Sequence, residues 1–89
     1  MNEMSVQVTY RRGHPFAAYI YLARRPGEKT ARTEEVSADL LVDYAADGRA
    51  LGIEVITPEA VEIQDILEVF DRLGLGRPSE EELEPLRAA

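Results

Sequence analysis

Leu40-Leu41-Val42-Asp43-Tyr44, the connector Ala45-Ala46-Asp47-Gly48-Arg49-Ala50, and Leu51-Gly52-Ile53-Glu54-Val55-Ile56 form the stretch that decides the fold. Apolar residues recur at every second position on each side of a short polar connector. That is the period of two half-buried strands. Asp47-Gly48 is a hairpin turn signal, because Gly takes a positive φ without steric penalty. A loop centred on these two residues sets Tyr44 against Leu51, Val42 against Ile53 and Leu40 against Val55. All six then share one face. A three-residue loop would set Val42 against Gly52, since a slip of one residue turns every side chain over. An even loop is therefore expected, with Asp43 and Glu54 on the opposite face.

Toward the N-terminus the pattern stays strand-like. Val6, Val8 and Tyr10 alternate with Ser5, Gln7 and Thr9. Arg11-Arg12-Gly13-His14-Pro15 interrupts them as a turn. Ala17 to Ala23 puts Ala18, Ile20 and Leu22 on one face and Tyr19 and Tyr21 on the other. With both faces apolar or aromatic, this strand is expected at the centre, covered on two sides. Arg25-Pro26-Gly27-Glu28 is a turn, and Ala31 to Val36 a polar edge strand.

After Ile56 the period changes. Thr57-Pro58 can cap and open a helical turn, and residues 58–63 fit helix or strand. Ile63, Ile66, Leu67 and Phe70 then fall on one helical stripe, with Gly74 as its stop. Ser79 and Glu82 have the spacing of a capping box. The helix that follows is short, because Pro85 would break or kink it. Leu83 and Leu86 are its expected anchors.

The chain has 89 residues, a size that fits one domain with one modest core. It contains no Cys, so disulfides and thiolate chemistry are excluded. It contains a single His, too few for a three-His zinc site. His14 reads as a solvated turn residue. Neither a dinucleotide nor a phosphate-loop glycine pattern occurs. The first residues lack the basic start and apolar stretch of a signal peptide, and a cytoplasmic location is expected. Asp39, Asp43, Asp47 and Glu54 lie on or near the hairpin. They read as turn and surface acids rather than metal ligands or general acids. No catalytic residue, cofactor or metal site is expected.

The net charge of −7 is uneven. Residues 1–33 carry six basic and two acidic side chains, and residues 34–89 carry four basic and fifteen acidic ones. Overall acidity argues against nucleic-acid binding, which needs a basic footprint. Arg11, Arg12, Arg24 and Arg25, with Tyr10, Tyr19 and Tyr21, remain candidates for a basic aromatic surface that stacks on RNA. Glu80-Glu81-Glu82 reads as charge that complements a helix N-terminus.

The hairpin, together with Thr33-Glu34-Glu35-Val36 before it, resembles the small bacterial family known as domain of unknown function 2283. The hallmark of that family is a "VDYDEDGxVVGIEIL"-like hairpin. Tyr19-Ile20-Tyr21-Leu22 resembles the family's "LYIRL" strand, and the likeness extends over about residues 6–57. The family's acidic "YDPEADALYI" loop is replaced here by Tyr10-Arg11-Arg12-Gly13-His14-Pro15-Phe16, so nothing attached to that loop carries over. The resemblance implies a small antiparallel sheet and hints at antitoxin-like partnering with a toxin.

The expected fold is α+β, an antiparallel meander of about five strands with C-terminal helices packed on one face. Residues 1–57 form the sheet and residues 58–89 a helical extension of the same domain. The expected function is a non-enzymatic protein-interaction or oligomerising module. A homodimer or higher assembly would cover the Tyr19 and Tyr21 side. Two alternatives are an antitoxin-like inhibitor whose acidic tail meets a basic toxin, and weak RNA binding through the Arg11/Arg12 and Arg24/Arg25 patches. The interaction candidates are Tyr19, Tyr21, Arg24, Arg25, Arg11 and Arg12.

Overall fold

The hairpin at residues 40–56 holds the centre of the sheet in the computed structural model, which describes residues 4–88. The strands are β1 (Ser5–Arg11), β2 (His14–Tyr21), β3 (Arg32–Ser37), β4 (Leu40–Tyr44) and β5 (Ala50–Val55). A 3₁₀ turn (Pro58–Ala60) precedes α1 (Ile63–Arg72) and α2 (Glu84–Arg87). All pairings are antiparallel and the spatial order is β1-β2-β5-β4-β3. The expected five-stranded antiparallel sheet therefore forms, with β5 lying between β4 and β2.

The expected register holds away from the turn, where Leu40 pairs with Val55 and Val42 with Ile53. The turn itself differs. Gly48 N donates to Ala45 O at 3.0 Å and Ala45 N to Arg49 O at 2.8 Å, enclosing the three residues Ala46, Asp47 and Gly48. Gly48 takes a φ of 91°, as a three-residue hairpin loop requires. The ladder then shifts, so that Tyr44 pairs with Ala50 and Leu51 is the extra residue. An odd loop and a one-residue bulge cancel, and the apolar face survives. Leu51 is fully buried but lies outside the main core cluster.

One face of the sheet is the core. Ala18, Ile20, Leu22, Leu40, Val42, Tyr44, Ile53 and Val55 are buried there with Ile66, Val69 and Phe70 of α1. Leu83 and Leu86 seal it from the C-terminal turn. Residues 63–86 thus supply one wall of the core. The helix ends follow local rules. Asp65 accepts from Glu62 N at 3.2 Å at the start of α1. Gly74, at φ 73°, ends it while Leu75 N reaches back to Phe70 O at 3.0 Å. Ser79 and Glu82 form the reciprocal box, at 2.8 and 3.1 Å.

Four expectations need correction. His14 is the first residue of β2, paired with Arg11, and not part of the turn. Residues 58–63 are neither one helix nor a strand. Thr57 gives no side-chain cap, the turn ends at Ala60, and extended Val61 leads into α1. Pro85 does not break α2 but lies in its first turn, where its missing N–H has no intrahelical partner to lose. The strand carrying Tyr19 and Tyr21 is internal, as expected, yet among the described residues only one of its faces is covered.

Candidate functional site

The uncovered face presents Gln7 from β1, Tyr19 and Tyr21 from β2, Gly52 and Glu54 from β5, Leu41 and Asp43 from β4, and Thr33 from β3. Their register places them in rows across the strands. Gly52 lies between Tyr21 and Asp43 in the ladder. It has no side chain, and the Tyr19 phenol lies over it. A Cβ at this position would overlap the hydroxyl end of the Tyr19 phenol. That gap lets the phenol cross β5 and donate to Asp43 Oδ2 at 2.7 Å. The other carboxylate oxygen of Asp43 accepts from Thr33 Oγ1 at 2.6 Å. One acid thereby ties β2 and β3 across the strands between them.

Arg24 extends the arrangement. One guanidinium nitrogen donates to Tyr19 Oη at 3.4 Å and to Leu51 O at 3.3 Å. Its carbon lies 6.0 Å from the Tyr21 ring centre, at the limit of cation–π attraction. The Tyr19 and Tyr21 rings meet edge to face at 4.6 Å. Tyr21 donates to Gln7 Oε1 at 3.1 Å. Both tyrosine rings are therefore held in place, and Tyr21 remains 38% exposed. The loop behind Arg24 is tied down as well. Glu28 N donates to Arg25 O at 3.1 Å with Gly27 at φ 76°, and Glu28 pairs with Arg49, which also holds Asp47 at 2.8 Å.

Burial, then the hydrogen bond to Asp43 and that acid's charge, push the Tyr19 phenol above its ordinary range, against the opposing pull of Arg24. Burial and the Glu34 contact raise Tyr44 in the same sense. Stability linked to these phenols is present in full below their unfolded value, near 10. Above it the unfolded chain loses protons that the folded chain keeps, so stability falls as pH rises. Tyr19→Phe is expected to flatten this alkaline loss. Urea midpoints measured for parent and variant across that range check it, and parallel curves would contradict it.

The other candidates are placed elsewhere. Arg11 and Arg12 belong to the hairpin tip at one end of β2, whereas Arg24 and Arg25 follow its other end. Eight residues of strand put about 25 Å between them, so the four arginines form no common patch. At the tip, Arg11 lies 4.3 Å over the Phe16 ring. Tyr10 shares β1 with Arg11 and is 53% exposed. Among the described residues, no three His, Asp or Glu side chains converge as metal ligands would. Asp43 is engaged by Tyr19 and Thr33 and is therefore not simply a solvated surface acid. A cleft of about 380 Å³ opens beside Leu22, Tyr44, Phe70 and Leu73. Its polar side chains are already engaged, Tyr44 with Glu34 and Arg49 with Glu28 and Asp47. Sequence reasoning missed Thr33 and Gly52. A lone Gly inside a strand pattern was the available signal, because it marks a close approach.

No helix among the described residues is long and apolar enough to cross a membrane. Searches of curated proteins and of solved structures give no match. Residues 17–57 match the family model described as Protein of unknown function (DUF2283). That segment runs from β2 through β5 and holds Tyr19, Tyr21, Arg24, Thr33, Asp43 and Gly52, so the arrangement on the open face lies within the part of the chain that matches the DUF2283 family model.

Proposed function

We propose that the chain is a non-enzymatic protein-interaction module and that the Tyr19–Tyr21–Arg24 face is its contact surface. One observation carries the reading. Two aromatic rings and a guanidinium are fixed by hydrogen bonds on a sheet face that none of the described residues covers. Tyr and Arg are the side chains that most often dominate binding energy. Holding them in place beforehand lowers the entropy lost on association. Among the described residues neither Arg24 nor Arg25 forms an ion pair, which favours a partner that presents a carboxylate there.

RNA binding is less well supported, since the two arginine pairs lie at opposite ends of a strand. The acidic-tail reading faces a different difficulty. The segment contributes Phe70, Leu83 and Leu86 to the core, so the tail is not a detachable arm. The test is capture from the native cell with the parent chain, with Tyr21→Ala and with Arg12→Ala as bait. A partner held by the parent and by Arg12→Ala, but reduced at least tenfold by Tyr21→Ala, supports the reading, tenfold corresponding to about 1.4 kcal/mol. Equal capture by all three baits overturns it.

A further inference from the structure

The sheet has two edges, and they differ. β3 carries Arg32, Glu34 and Glu35, and its own chain bulges at Val36, which the ladder with β4 skips. Charges and bulges are the usual means of blocking edge-to-edge pairing. Self-pairing of β3 about Glu34 would also set like charges against each other. β1 has neither device from Ser5 to Tyr10. It contains no charge and no Pro there, and the irregularity opposite Thr9 and Tyr10 falls on β2, at Phe16.

The direction of the free backbone groups follows from alternation along the strands. Leu22 N donates to Leu51 O and Ile56 N to Asp39 O. Ile20 and Ala18 therefore turn their backbone groups to β5, and Tyr19 and Tyr21 turn theirs to β1. Their partners Gln7 and Ser5 answer them. Val6 and Val8 are left with N–H and C=O pointing away from the sheet. The same edge leaves apolar surface open, with Met4, Val6 and Val8 only partly buried against the core and Tyr10 53% exposed.

We propose that two copies of this chain join antiparallel through β1, about a two-fold axis at Gln7, into one continuous sheet. In this register Val6 exchanges both backbone hydrogen bonds with the partner's Val8. Met4 falls opposite the partner's Tyr10, and Ser5 opposite the partner's Thr9. Apolar side chains meet apolar ones on the core side, and small polar ones meet on the open side. No charge is opposed along the paired stretch, and the contact is closed and isologous, so it stops at two copies. The open faces become one surface, on which the two β2 strands lie three strand spacings apart, about 14 Å.

Gln7 provides the test. It is exposed, its backbone groups face β2, and a pair of such residues across the axis has Cα atoms about 4.5 Å apart. That separation admits a disulfide, and the parent has no Cys to compete. Parent mass by light scattering is expected at twice the 9.9 kDa of the chain. Gln7→Cys is expected to form a covalent dimer under mild oxidation, whereas Glu35→Cys on β3 stays single. Gln7→Lys, which sets two ammonium groups at the axis, is expected to weaken dimerisation at least tenfold while circular dichroism shows it folded. A parent that stays monomeric overturns the proposal. So does a dimer that Gln7→Lys leaves intact and Gln7→Cys does not cross-link. The contact surface at Tyr21 is tested by separate variants, so either idea can fail alone.

Discussion

A chain ending at Ile56 is expected not to fold. It would retain all five strands, yet it would lose Ile66, Val69, Phe70, Leu83 and Leu86, the residues that cover the apolar face. Fully burying side chains of this kind contributes roughly 1.5–3 kcal/mol each. The loss is then on the order of ten kcal/mol, comparable with the whole stability of a small domain, about 5–15 kcal/mol. The exposed face would be an aggregation surface as well. Far-ultraviolet circular dichroism and urea titration check this. A cooperative transition in the shortened chain would show that the helices are an appendage. Within the full chain, Phe70→Ala tests the same wall at one point, with an expected loss of about 3–5 kcal/mol.

Gly52→Ala is expected to destabilise the protein by about 1–3 kcal/mol. The new methyl group and the Tyr19 ring cannot share the same space. Tyr19 would swing away and its bond to Asp43 would break. The sign of the effect depends on Tyr19. In a Tyr19→Ala background the space is empty, and Ala suits a strand interior better than Gly. There the same substitution is expected to be neutral or to stabilise by about 0.5 kcal/mol. A double-mutant cycle by urea denaturation measures the difference. Equal losses in both backgrounds would mean that the ring does not occupy the gap.

Local patterns predicted much of the fold and less of the site. The alternation in Leu40–Tyr44 and Leu51–Val55 located the central hairpin, and the stripe ending at Phe70 located its cover. The turn escaped because an odd loop and the bulge at Leu51 cancel. Both preserve the apolar face, so side-chain parity cannot separate them from an even loop. Ser79 and Glu82 were readable because a capping box spans three residues. The Tyr19–Gly52–Asp43 contact was not, because it requires knowing that β2 lies against β5 rather than β3. That neighbour relation arises from the chain link at residues 22–31 and leaves no periodic trace. Strand alternation puts Asp43 on the correct face, but its role depends on Thr33 and Tyr19, which arrive from two other strands.

The central claim is that the chain acts by presenting its open face. The most direct measurement is the change in amide resonances when the captured partner is titrated into the parent chain. Shifts concentrated at Tyr19, Tyr21, Arg24 and Gly52, and reduced at least tenfold in apparent affinity by Tyr21→Ala, are the predicted result. Shifts confined to Ile63–Arg72 and the C-terminal turn, unaffected by that substitution, would contradict it.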